Sequence, residues 1–431
     1  MWKKIFYWIG GILLLLLATS YFVFQTGLYS GKPSQKGKLA LVNGNFITMA
    51  GEEPEIIRDK ALLIEDEKIT AFMPSDSIPE DAKTMDLNNG YAMPGLIDLH
   101  VHLGGLPMAE NFGTVDMVLE YMRQYPKSRE KYLEYGVTTI QSLADMHPQI
   151  IKLRNKIATG ELAGPRLYAA GPILTSPGGH PAGSIYKGRE RLINGATRQL
   201  ADPERARNVV DSLANQQIDK IKVTYTSGPN DSLPKMKYDV LKAITEQAHQ
   251  RNLRVVVHID SVNDIEDALR AGVDGIEHIA YGMNSDNATT IANQLVKQDV
   301  YVVPTLSVFK KILSESEFQN SLTVFSKWVD AGVKVALGTD SGNIPAGESV
   351  YTELSLYTAA GMSNYEALRT GTIYAARHLR ATDKLGTLEP RKAADIIVFK
   401  RNPLENLQKI GKPVQVFKNG VIYINNESSN D

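Results

Sequence analysis

The chain of 431 residues carries 47 Lys and Arg against 48 Asp and Glu, a formal charge of -1 that lacks the basic excess of a nucleic-acid binder. Its 43% hydrophobic and 22% charged residues, with 34 Gly and 20 Pro, suit a globular protein with a real core and exclude collagen-like and low-complexity chains. The absence of cysteine rules out disulfide scaffolds, thiolate metal sites and cysteine nucleophiles, so any metal must be held by histidines, carboxylates or less usual ligands.

The first element predicted is a membrane segment. Lys3 and Lys4 precede an apolar run from Ile5 to Phe24, about the 20 residues that a hydrocarbon core requires. Residues 1–25 are therefore expected to be a transmembrane anchor or, if cleaved near Ala18-Thr19-Ser20, a signal segment. The lysines ahead of the run keep the N-terminus cytoplasmic and export the remainder, to a periplasm or the cell exterior. Residues 26–37 follow as a polar tether.

Residues 38–92 break into short strands, with Asn43-Gly44 a hairpin-type signal. After Pro94 the texture changes to apolar, β-rich runs with helical stretches between them, the pattern of βα units around a parallel sheet. Eight runs are expected as strands: Leu96–His102, Val137–Leu143, Arg166–Gly171, Ile218–Thr224, Leu253–Ile259, Gly275–Ile279, Val300–Pro304 and Val333–Thr339. Helices fit between several, such as Asp239–Arg251 and Ile265–Ala271. Eight units over about 280 residues match a TIM (β/α)8 barrel, usually ~250 residues, here at 93–382. Lys384–Glu389, Asp395–Lys400 and Val414–Tyr423 again resemble strands. Paired with 38–92, the segment 383–424 would complete one small composite β-sandwich domain built from both ends of the chain.

The candidate chemistry lies at the ends of the barrel runs, where such barrels place active sites. In His100-Val-His102 both imidazoles point to one face of a strand. His258 closes the fifth run, His278 the sixth and Asp340 the eighth. Neutral imidazole and carboxylate suit Zn, Mn or Fe. A core or surface role is commoner for any single histidine, but it does not account for five ligand-type residues on one rim. In Lys220-Ile-Lys222-Val-Thr224 the polar side chains share the face opposite Ile221 and Val223. If the apolar face packs on helices, Lys222 points into the barrel, where a lone ammonium would be costly. It would then become a neutral amine able to add carbon dioxide, or it would snorkel to rim water.

Four segments carry a family resemblance. Ala92-Met-Pro-Gly-Leu-Ile-Asp-Leu-His-Val-His102 resembles the opening signature of the amidohydrolase superfamily, and Gly338-Thr-Asp-Ser341 and Leu385–Val398 resemble its closing ones. Ile221-Lys-Val with Ser227-Gly228 is similar to the group with a carbamylated lysine, which includes Xaa-Pro and Xaa-Arg dipeptidases and imidazolonepropionase-like relatives. The resemblance implies two divalent ions, zinc being expected. His100, His102 and Asp340 would hold the first, His258 and His278 the second, with the Lys222 carbamate between them. A hydroxide shared by the ions would attack, with Asp340 as general base and then general acid. His180, in Ser176-Pro-Gly-Gly-His180, resembles a substrate-approaching loop histidine, and Tyr225 could donate to a carbonyl or carboxylate, although a structural role is open for both.

The sequence also departs from the family's deaminases, which tend to carry a glutamate three positions after the fifth-strand histidine; here that position is Ser261. Hydrolysis of a dipeptide or N-acyl amino acid is therefore favoured. A cyclic amide or lactone hydrolase is the first alternative and a non-catalytic binding protein the second. His147, His249 and His378 are expected to be structural or solvent-facing. Substrate identity and homo-oligomerisation are left open.

Overall fold

In the computed structural model the described residues are 36–104, 114–228 and 232–426, with positions 8, 10 and 11. Among them no helix is long and apolar enough to cross a membrane. The apolar run from Ile5 to Phe24 lies outside the described residues except Trp8, Gly10 and Gly11, as does the tether before Lys36.

Strands from both ends of the chain form two sheets. One holds four strands in the order Lys68–Met73, Ala61–Glu65, Lys38–Val42, Lys83–Asp86. The other holds six, in the order Val421–Asn425, Gln415–Lys418, Ile396–Phe399, Tyr91–Pro94, Asn45–Ile47, Ile56–Ile57. Leu41, Leu62 and Ile64 of the first meet Phe46, Ala92, Ile396, Val398 and Phe417 of the second in one buried cluster. The alternate residues of the six-stranded sheet, Ile47, Met93, Ile397, Phe399 and Val416, face the other way and join the main core with the barrel residues. Side chains alternate across a strand, so a sheet buried on both faces must be apolar throughout, as Ile396-Ile-Val-Phe399 is.

Three local expectations are corrected here. Asn43-Gly44 is no hairpin: Lys38–Val42 and Asn45–Ile47 lie in different sheets, and Asn43, at φ 52°, turns the chain from one to the other. Lys384–Glu389 forms no strand, since Gly386 at φ 93° interrupts it and Leu388 N donates to Thr48 O instead. Val414–Tyr423 divides into a hairpin around Asn419 and Gly420, both in the left-handed region that a tight hairpin turn requires. The boundary expected at 92/93 falls inside the strand Tyr91–Pro94, and only Gly95 separates that strand from the barrel.

The barrel comprises β1 (Leu96–Val101), β2 (Val137–Ser142), β3 (Arg166–Ala169), β4 (Ile221–Thr224), β5 (Val255–His258), β6 (Gly275–Glu277), β7 (Tyr301–Val303) and β8 (Lys334–Val335). Each lies within one of the eight expected runs. Beyond Gly171, at φ 73°, β3 continues as Ile173–Thr175, so its first half pairs with β2 and its second with β4. An edge strand absent from the sequence reading, Thr197–Gln199, runs beside Ile173–Thr175. The ring closes between its ends: Leu99 N donates to Leu337 O at 2.9 Å and Asp340 N to His100 O at 2.8 Å. Several strands are shorter than expected because the rim residues leave the ladder, His278, Thr305 and Asp340 adopting left-handed φ of 76°, 51° and 56°.

Ser261, read above as a missing glutamate, has a local task. It caps the helix Val262–Ala271, its hydroxyl accepting from Asp264 N while the Asp264 side chain accepts from Ser261 N. Such a cap is worth about 0.5–2 kcal/mol. His249 is solvent-facing and sits 2.9 Å from Asp274, whereas His378, expected on a solvent face, is buried.

Gly338 sets how closely β8 approaches β1. A Cβ there would meet Val303 Cγ1 at 2.3 Å and His100 Cβ at 2.9 Å. Gly338→Ala is accordingly expected to cost about 1–3 kcal/mol by overpacking, read as a lower denaturant midpoint. An unchanged midpoint would show that the close approach is not a constraint.

Candidate metal centre

The barrel brings the six expected metal ligands to one mouth. His100, His102, Lys222, His258, His278 and Asp340 line a single cavity of about 250 Å³. His102 Nε2 lies 2.9 Å and His100 Nε2 3.5 Å from Asp340 Oδ1. Nitrogen or oxygen atoms of His100, His278 and Asp340 all fall within 4.8 Å of one another. The rings of His258 and His278 are 4.5 Å apart. Register explains the convergence: Thr224 pairs with His258 and His258 with Glu277 across β4, β5 and β6.

Second contacts decide which nitrogen faces the cavity. His100 Nδ1 is 2.7 Å from Glu277 Oε2, so the carboxylate holds the proton on Nδ1 and leaves Nε2 as a lone-pair donor. His278 Nδ1 is similarly placed 2.7 Å from Thr305 Oγ1. His258 Nε2 lies 3.3 Å from Asp260 Oδ1, while Thr226 donates to the other oxygen of Asp260. Glu277 and Thr305 escaped the sequence reading. The signal for Glu277 was its position beside His278, but period-2 reasoning could not tell which imidazole it would meet.

Burial pushes His100 well below the ordinary imidazole range, and Lys222 adds to the effect. His278 is lowered by burial and by neighbouring His258 and His100. Burial would raise Asp340, but His100, the hydrogen bond from His102 and Lys222 outweigh it and bring its carboxyl to about 2. His100 and His278 are therefore neutral and Asp340 charged, the protonation states that bind a divalent cation. Burial lowers Lys222 as well, against the pull of Glu277 and Asp340. Lys222 Nζ and His102 Nδ1 are buried without a hydrogen-bond partner. Orphaned polar atoms beside convergent nitrogen and oxygen donors fit a metal centre rather than a hydrogen-bonded core.

His180 reaches the same cavity and stacks on His258 with ring centres 5.0 Å apart. Burial, reinforced by His258, takes it to about 3. Tyr225 does not join them. Its hydroxyl donates to Asp267 at 2.8 Å and Lys235 sits over its ring, so it packs against the helix Val262–Ala271 and is not a lining residue of the cavity.

Residues 91–423 match the sequence model of the Amidohydrolase family. The chain belongs to that family. It is 25% identical to an ochratoxinase of Aspergillus niger over 434 residues, covering 90% of this chain and 88% of the relative. It is 24% identical to an imidazolonepropionase of Picrophilus torridus over 415 residues, covering 89% and 97%. A crystal structure of a Xaa-Pro dipeptidase with methionine bound in the active site superposes with a TM-score of 0.76 at 25% identity, over 90% of this chain and all of that one. This amidohydrolase is thus a hydrolase of carbon–nitrogen bonds, in a family that is generally metal-dependent.

Glu277 supplies the sharpest test of the centre. Glu277→Gln removes the charge that orients His100, and loss of such an outer partner typically costs about 10–100-fold in metal affinity. Competition with a chromophoric chelator measures it; wild-type affinity in the variant would show that His100 needs no anionic partner.

Proposed function

We propose that this amidohydrolase cleaves the amide bond of a dipeptide or N-acyl amino acid with a bulky apolar group, using a binuclear zinc site with Lys222 as its carbamate. The observation that carries this reading is the cavity wall over the ligand cluster. Ile173, Ile185, Val308 and Phe309 line it, and Tyr281 stacks on Phe309 with ring centres 5.2 Å apart. The cation of that wall outside the ligand set is Lys311, exposed at the rim, with Nζ donating to Asn343 O. An apolar wall with one rim ammonium suits a substrate that carries both a hydrophobic group and a carboxylate.

His100, His102 and Asp340 would hold one ion and His258 and His278 the other, with the Lys222 carbamate bridging them. Divalent ions held there would lower the pKa of water toward 7 and polarise a carbonyl. Asp340, ionised by its surroundings, accepts the proton of the attacking water and returns it to the departing nitrogen. Neutral His180 offers an uncharged hydrogen bond to the substrate at the cavity wall. The imidazolonepropionase relative favours a second reading, a cyclic amide, with the same groups in the same roles.

Amine release from dipeptides, N-acyl amino acids and cyclic amides tests both readings, with the protein loaded with zinc and supplied with bicarbonate. Cleavage is expected to be confined to carboxylate-bearing, bulky apolar substrates, to stop on chelation and to return with zinc. Asp340→Asn should lower kcat by at least about 10²-fold, and Lys222→Met should lose the paired metal content. Activity confined to cyclic amides would select the second reading, and full activity in Lys222→Met would refute the carbamate.

We propose further that Ile5–Phe24 anchors the chain in a membrane and that the catalytic part is exported. The length of the apolar run and the lysines before it support this. Alkaline carbonate extraction should leave the full chain in the membrane pellet; complete release would overturn the anchor.

A further inference from the structure

A second polar cavity, of about 100 Å³, lies at the opposite end of the barrel from the metal centre. Lys220, just before β4, and Arg254, just before β5, line it with Gln141, His378 and Arg380. Lys220 and Arg254 precede Lys222 and His258 along these strands, and the two cavities share no lining residue.

The hydrogen bonds around this cavity run in one direction. Lys220 Nζ donates to Gln141 Oε1 at 3.0 Å and meets His378 Nε2 at 2.7 Å. With those two atoms serving as acceptors, the opposite ends of both side chains are donors, Gln141 Nε2 and His378 Nδ1. Both are buried and have no hydrogen-bond partner. Arg254 repeats the pattern: Nη1 donates to the carbonyls of Arg377 and His378, while its buried Nε has no partner and stands 4.0 Å from Asp274 Oδ1. Arg380 closes the outer edge, donating to Asn252 Oδ1 at 2.7 Å. The carboxylate in the wall, Asp219, is already committed to Arg154 at 2.7 Å and Ala169 N at 2.8 Å. Three buried donors without acceptors, ringed by permanent guanidinium charge, call for an electron-rich ligand, because a buried donor left unpaired costs about 1–3 kcal/mol.

We infer that this cavity is an anion site for a small oxyanion of the phosphate or sulfate class, bound independently of the metal centre. The volume admits an ion of that size, and Arg380 and Asn252 provide an exposed edge for entry.

Calorimetric titration of inorganic phosphate, and separately of sulfate, into the full metal-loaded chain tests the site, alongside inhibition kinetics. The expected result is one ion per chain that does not compete with the amide substrate. Arg380→Ala, a change at an exposed side chain, should weaken that binding by about tenfold, as for the loss of one charge-assisted hydrogen bond, while kcat/KM and thermal midpoint stay at wild type. Preference for phosphate or sulfate identifies the physiological class. Absence of binding, affinity unchanged in Arg380→Ala, or binding strictly competitive with substrate would overturn the inference, the last placing the ion at the metal centre instead.

Discussion

Closure of the barrel between its first and last strands underlies the rest of the molecule. The ladder from Leu99 to Leu337, His100 to Asp340 and His102 to Ser341 holds together segments some 240 residues apart in sequence. Through it Asp340 comes within 2.9 Å of His102, and through it the carboxylate is buried among imidazoles that draw its pKa down. Gly338 permits the approach because a side chain there would occupy the space of Val303 and His100. Asp340 and His278 take left-handed backbone conformations at the same rim. Such conformations cost of order 1–3 kcal/mol each and persist only where surrounding packing imposes them.

That packing comes partly from outside the barrel. The six-stranded sheet is a middle layer, with the four-stranded sheet on one face and barrel residues on the other. Only Gly95 lies between its strand Tyr91–Pro94 and β1, and Gly95 N donates to Asp395 O of the C-terminal segment. The strand that bears His100 and His102 is therefore held at its base by the sandwich as well as by its barrel neighbours. A composite domain formed from both chain ends makes the position of the candidate metal ligands depend on the whole fold.

The electrostatics follow the same logic of burial. The neutral imidazoles of His100 and His278, the ionised Asp340, a lysine Nζ without a partner and a glutamate held against His100 would be a poor hydrophobic core. As a cation site they are coherent, because the lone pairs converge and outer partners set their direction. The family hydrolyses carbon–nitrogen bonds and is generally metal-dependent, which suits that arrangement.

Much of this was legible in the sequence. Period-2 alternation put His100 and His102 on one face, and the apolar runs ending in His258, His278 and Asp340 located five ligand-type residues at strand ends before any fold was known. Residue chemistry alone excluded thiolate metals and nucleophiles. What alternation cannot supply is the identity of the neighbour across a packed interface. Tyr225, three residues after Lys222, turned to Asp267; Glu277, unremarkable beside His278, reached His100 across the barrel; His378, on a short helix, was buried against Lys220. Asn43-Gly44 had the residues of a hairpin, but burial of two separate sheets sent its flanking strands apart. The sequence by itself determined the kind of ligands and the strand ends that carry them, because those are local properties of residue type and backbone period. Only the tertiary structure decided which of them share a cavity, because that depends on contacts between segments hundreds of residues apart.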